Sequence, residues 1–182
     1  DDTFLLDYSL FFVSILYDYY RETKDLETVR ELWPSGFRQI ELALDDFADG
    51  VPKRDNPLLF FIDWKEGLDR QAAGMGVFIY CLSQGAYLAG VLGEKEQQAW
   101  IEGILADAVK RAVEVFWARE RGFFVSGEEK QISWMSQCWM VLADVLEPEQ
   151  SRELMKRLLT EKPSMTPLTP YAYHHVIEAL LH

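Results

Sequence analysis

The densest chemical cluster in this sequence is Phe60-Phe61-Ile62-Asp63-Trp64, followed by Lys65-Glu66-Gly67 and Asp69-Arg70. It sets one carboxylate inside an apolar, aromatic run. A tryptophan offers a flat face and an N–H donor. Such a ring suits the C–H face of a sugar, and a neighbouring carboxylate accepts hydrogen bonds from hydroxyls. Asp63 and Trp64 are therefore candidate substrate-binding residues. The competing reading is structural: Phe60, Phe61 and Ile62 anchor a loop on the core, and Asp63 caps a turn. For the phenylalanines and Ile62 the structural reading is preferred; for Asp63 and Trp64 both stay open.

Two further clusters have the same flavour. Ser133-Trp134, with Ser136 and Gln137, opens one helical stretch, where Trp134 serves either as a core ring or as a ligand platform. Thr169, Tyr171, Tyr173, His174 and His175 open another. Tyr171 and His174 are candidate contacts there, against a surface or capping role for each histidine. Adjacent histidines face different sides of a helix, whereas a metal pair wants a spacing of four, so no zinc site is read here. Asp63, Glu66 and Asp69 are loop carboxylates. Glycoside hydrolysis needs two, one protonated and one ionised, and a sequence does not place such a pair in space. No glycine-rich phosphate loop, nucleophile elbow or Cys-His arrangement is present, and no cofactor is expected.

Positioning these residues requires helices, and the charge pattern supplies them. No charged residue occurs in 8–17, 72–92 or 131–143, and charged stretches such as 27–46 and 94–120 lie between. A helix apolar all round is buried, whereas an amphipathic one faces solvent on one side. Seven helical segments alternating in this way predict two layers: an all-α arrangement of inner and outer helical hairpins, part of a toroid. Leu5, Tyr8, Phe12, Ile15 and Tyr19 recur at helical spacing in the first segment. The second places Leu32, Ile40 and Leu44 inward, with an early kink or late start at Trp33-Pro34. The third runs from an N-cap at Asp69 to Gly93, the fourth from Glu94 to Ala118 with Trp100, Ile104, Ala108, Ala112 and Val115 inward. The fifth spans 133–146, Pro148 opens the sixth, and the seventh starts near Tyr171. The long links, including one with Gly50, Pro52 and Pro57, alternate with tight ones. They therefore lie at one end, beside the first turns of the third, fifth and seventh helices. Long irregular loops in a compact domain are usually functional.

Composition sets the outer limits. The 182 residues, 49% hydrophobic and 26% charged, suit one domain with a real core. A net charge of −12 argues against nucleic acid and anionic lipid as partners. The 72–92 stretch is long enough to raise a membrane span, but Gly74, Gly76, Gly85, Gly90, Ser83 and Gln84 dilute it, and a buried inner helix is expected. Cys81 and Cys138 read as separate buried thiols. No signal peptide is read, and the missing initiator methionine leaves the native start open.

Several short motifs share one resemblance. The run Leu6-Asp7-Tyr8-Ser9-Leu10-Phe11-Phe12-Val13 resembles the first full helix after the acidic motif of bacterial α-L-rhamnosidases, glycoside hydrolase family 78. Tyr19-Tyr20, Thr23-Lys24-Asp25 and Leu32-Trp33-Pro34 continue the likeness. Phe61-Ile62-Asp63-Trp64 resembles that family's loop ending in Asp-Trp. Leu68-Asp69-Arg70-Gln71-Ala72, Met165-Thr166-Pro167, Pro170-Tyr171 and Tyr173-His174 also fit.

The resemblance implies an (α/α)6 barrel and hydrolysis of terminal α-L-rhamnose with inversion. An acid protonates the leaving oxygen, and a base about 6.5–9.5 Å away activates water on the opposite face. It implies Trp64 as a sugar-contacting ring with Asp63 beside it, and Trp134 and Tyr171 as further contacts. The family's acid-rich motif precedes the position where this chain begins, and its basic carboxylate follows the position where it ends. The expected object is thus an internal piece of a glycosidase barrel, inactive alone, whose exposed inter-helix face favours self-association. The alternatives are another (α/α)6 carbohydrate enzyme, such as a glucosidase or glycan lyase, and a non-catalytic helical scaffold for a protein. An envelope or secreted location fits degradation of rhamnosylated glycans.

Overall fold

The computed structural model describes residues 4–53 and 60–182; the loop residue Pro57 lies outside them. Among the described residues are seven α-helices: α1 (Leu6–Thr23), α2 (Leu26–Ala43), α3 (Gln71–Leu92), α4 (Lys95–Phe116), α5 (Trp134–Leu142), α6 (Pro148–Glu161) and α7 (Pro170–Leu181). Two short antiparallel ribbons sit in the long links: β1 (Phe47–Ala48) with β2 (Val51–Pro52), and β3 (Trp117–Ala118) with β4 (Phe123–Phe124).

The packing is two-layered. α1, α3, α5 and α7 follow one another side by side, α2 backs α1 and α3, α4 backs α3, and α6 backs α5 and α7. Burial explains the order. In α3, 16 of 22 residues are buried, against 4 of 22 in the equally long α4. A rod with no charged side chain has no face to offer water and goes inside. By length and composition α3 is the one described helix able to cross a membrane, yet 72% of its most apolar window is buried within the protein.

Glycines let the inner helices approach. A Cβ on Gly76 would lie 2.8 Å from the backbone carbonyl carbon of Trp139 on α5, so the two inner helices touch backbone to side. Helix ends follow local chemistry. Gly93 takes φ +80 to end α3, Pro148 opens α6, and Asp25 caps α2 by accepting from the Thr28 amide at 3.1 Å. Hydrogen bonds from Thr28 and Tyr19 hold the Asp25 carboxyl down at about 2.

Four expectations are corrected. On α1 the buried face is Leu6, Leu10, Val13 and Leu16, whereas Tyr8, Ile15 and Tyr19 are exposed. The helix is apolar on two faces, and periodicity cannot say which one is covered. On α2, Trp33 is buried and Leu32 exposed; the indole N–H donates to Gln97 Oε1 at 2.6 Å, and the helix runs unbroken through Pro34. On α4 the fully buried positions are Ile101 and Ala112, while Trp100 stays at the edge against Phe37. α5 stops at Leu142, short of the expected Leu146.

The arc has two apolar flanks. Tyr8 and Ile15 on α1, and Tyr173, Ile177, Leu180 and Leu181 on α7, are all exposed. Each set falls at helical spacing.

Candidate functional site

The three long links are tied to one another in a closed circuit. Residues 60–70 join 126–131: Ser126 Oγ donates to Asp69 Oδ1, the Asp69 amide donates to Gln131 Oε1, and Gln131 Nε2 donates to the Gly67 carbonyl. The second link joins the third. The Trp134 amide donates to the Met165 carbonyl, and the Trp134 indole N–H donates to the Pro163 carbonyl. The third returns to the first through Asp63. Leu168 N–H donates to Oδ2 at 2.7 Å, while Thr169 N–H and Oγ1 donate to Oδ1 at 3.1 and 2.7 Å. The long links thus form one rim, at the end where α3, α5 and α7 begin.

Two buried carboxylates hold its aromatic segment. Asp7, fully buried near the start of α1, accepts from the Phe61 and Ile62 amides at 2.8 and 3.2 Å and from its neighbour Tyr8. Asp63, also fully buried, accepts from the Trp64 amide as well as from Leu168 and Thr169. Arg70 completes the frame by donating to the Phe61 and Asp63 carbonyls. Ile62 adopts φ +54, a left-handed conformation costly for a β-branched residue that these bonds sustain. On this frame Trp64 projects, 72% exposed, edge-on to Phe61 with centroids 5.0 Å apart.

The sequence candidates therefore separate. Trp64 is an open aromatic face. Asp63 cannot present its carboxylate to a hydroxyl in this conformation, because it is buried and spent on protein donors. In this conformation the geometry matches the structural one of the two readings that the sequence left open. Trp134 is half-buried, with its indole N–H used by the third link. Tyr171 is half-buried against Phe61, centroids 5.6 Å apart. Its hydroxyl is buried without a partner, and burial pushes it well above the usual tyrosine range. His174 is exposed, and its neighbour His175 packs on Trp139 and Tyr171. Burial, with His174 beside it, lowers His175 to about 4, so it is neutral at pH 7. Burial pushes both cysteine thiols up to about 12, as expected for inert core groups. Among the described residues no group of three or more metal-binding side chains gathers.

Asp7 escaped the sequence reading, although an acid opening a charge-free run is a usable signal. Burial raises its carboxyl above the ordinary 3.8, and the amides of Ile62, Phe61 and Tyr8 pull it back only in part. The folded state therefore binds this proton more tightly than the unfolded chain. The Asp7 contribution to stability is then most favourable below pH 3.8 and declines as pH rises through the folded value. Asp7→Ala abolishes that decline. It also strands the Phe61 and Ile62 amides, at about 1–3 kcal/mol for each one left buried and unpaired. Urea unfolding at a series of pH values checks both effects.

A cavity of about 460 Å³ lies between α6 and the ends of α5 and α7, lined by Asp144, Arg152 and His182 among others. The rim is favoured because it joins an open aromatic face, Trp64, to a fixed frame of buried hydrogen bonds.

Charge-poor inner helices, amphipathic outer ones and a knitted loop end define an arc of an all-α toroid of the kind found in six-hairpin glycosidases. Solved structures make the likeness specific. A rhamnosidase from Klebsiella oxytoca with rhamnose bound matches with TM-score 0.94 and 46% identity, over 100% of this chain and 35% of its own. A family 78 rhamnosidase of Bacillus sp. GL1 matches with TM-score 0.84 over 98% of this chain and 20% of its own; at 16% identity it speaks for the fold alone. No protein-family model and no curated protein matches the sequence. The chain thus resembles part of a glycoside hydrolase family 78 rhamnosidase along its whole length.

Proposed function

We propose that this chain is an internal segment of the catalytic barrel of an inverting α-L-rhamnosidase, and that its rim presents Trp64 to the rhamnosyl ring. The observation that carries the reading is the match of this whole chain to 35% of a rhamnose-bound rhamnosidase, taken with an exposed indole on a frame of buried hydrogen bonds. Exposed rings also lie along the helices, at Tyr8, Tyr19 and Tyr173, but Trp64 at the loop end is the most exposed aromatic among the described residues.

The reading assigns no catalytic acid or base to the chain. Asp63 is buried and bonded to backbone, and Asp69 is engaged with Ser126 and the Gln71 backbone N–H; Glu66 is exposed, and one carboxylate does not make the pair that glycoside hydrolysis needs. The isolated chain is therefore expected to show no turnover of an aryl α-L-rhamnoside. Replacing the matching segment of the Klebsiella enzyme with this chain is expected to retain hydrolysis with inversion. Robust turnover by the isolated chain, or a folded but inactive chimera, would count against the proposal.

The apolar flanks on α1 and α7 favour association of isolated chains. Light scattering is expected to report a dimer or larger species, and a clean monomer at high concentration would remove this part of the reading. An envelope or secreted location fits such an activity.

A further inference from the structure

We infer that Asp63 is a positioning residue that couples Trp64 to the first turn of α7, so that the two sides of the rim respond to a ligand as one body. The inference rests on the sugar reading above but concerns a residue whose carboxylate is buried and bonded to protein donors. Three observations carry it. The Asp63 carboxylate is fully buried. Both oxygens are committed to protein donors: the amides of Trp64, Leu168 and Thr169, and the Thr169 hydroxyl. One of those partners, Thr169, is itself the N-cap of α7, where its Oγ1 accepts from the Ala172 amide at 3.2 Å. A single side chain therefore fixes the backbone that carries Trp64 and the cap that starts the helix carrying Tyr171.

Other routes between these parts are weaker. Phe61 touches both Trp64 and Tyr171, but through ring contacts that slide at little cost. Arg70 holds the Phe61 and Asp63 carbonyls from the α3 side and does not reach α7 among its recorded bonds. The Asp63 hydrogen bonds are the direct link across more than 100 residues of sequence.

Coupling of this kind is reciprocal. A sugar that orders Trp64 then also orders Leu168 and Thr169 through the Asp63 carboxylate. The test is hydrogen exchange by mass spectrometry on the full 182-residue chain, with and without L-rhamnose. In the unmodified chain, L-rhamnose is expected to slow exchange at 64 and at 168–169 together. In Asp63→Asn an amide N–H₂ faces the former donors. Exchange at 168–169 is expected to rise by about 10-fold or more, and protection by L-rhamnose is expected to shrink to the Trp64 side. α3 and α5 stay unchanged.

Should Asp63→Asn fail to fold, Thr169→Val removes one donor and the cap while leaving the carboxylate. It should give the same pattern, and Thr169→Ser should restore the original one. Unchanged exchange at 168–169 in the folded variants overturns the inference. An unmodified chain indifferent to L-rhamnose counts against the sugar reading instead, and the exchange comparison without sugar still decides whether Asp63 couples the two segments.

Discussion

In a Klebsiella rhamnosidase carrying this chain in place of its matching segment, Trp64→Ala is expected to lower kcat/KM on an aryl α-L-rhamnoside by about 100-fold, a loss of roughly 3 kcal/mol of transition-state stabilisation. The size follows from what the side chain does. At 72% exposure it contributes little to the core, so its removal does not loosen the fold. What disappears is a large flat surface held at fixed orientation by the Asp63 and Asp7 hydrogen bonds. A glycosidase transition state flattens the sugar ring, and a rigid face that fits it better than the ground state accelerates the reaction. Trp64→Phe keeps a smaller face and recovers part of the loss. Unchanged kcat/KM in Trp64→Ala would place the platform elsewhere on the rim.

Gly76→Val is the largest expected effect on the fold itself. Even a Cβ there sits 2.8 Å from the carbonyl carbon and Cβ of Trp139 and 2.9 Å from its carbonyl oxygen. Two of those atoms are backbone and cannot rotate away, so α3 and α5 must separate. Overpacking a core costs about 1–3 kcal/mol, and more where nothing can yield. Against total stabilities of about 5–15 kcal/mol, that is a large fraction. Gly103 on α4 is the internal control. A Cβ there meets nothing within 4 Å, so Gly103→Ala gains helix propensity of up to about 1 kcal/mol. Urea midpoints from circular dichroism should move in opposite directions for the two variants. A neutral Gly76→Val would show that the inner helices do not touch as described.

The sequence made these features legible to different degrees, and the reasons are physical. α3 could be read because a rod with no charge in 72–92 has only one place to go. The tight links and long links could be read from Asp25, Gly93 and Pro148. Trp64 stood out as an aromatic beside an acid in a loop. The exposed face of α1 could not be read. Ile15 is as hydrophobic as Leu10 and Val13, Tyr8 carries a large apolar ring, and only the neighbours decide which face is covered. Asp63 stayed ambiguous for a related reason. An acid within an apolar loop fits both a ligand contact and a buried support, and the donors that bury it here lie at Leu168 and Thr169. Asp7 was hidden likewise, since its acceptors' partners, Phe61 and Ile62, sit in another link. Local pattern reports what a residue wants; the tertiary partner that supplies it is non-local.

The most direct measurement follows the indole N–H resonances of the ¹⁵N-labelled chain during titration with L-rhamnose, with Trp64 assigned by its loss in Trp64→Phe. The account predicts that the Trp64 indole moves with the Leu168 and Thr169 amides, while D-mannose or another hexose moves them less. Shifts confined to the far end, around Asp144 and His182, or equal responses to every sugar, would contradict it.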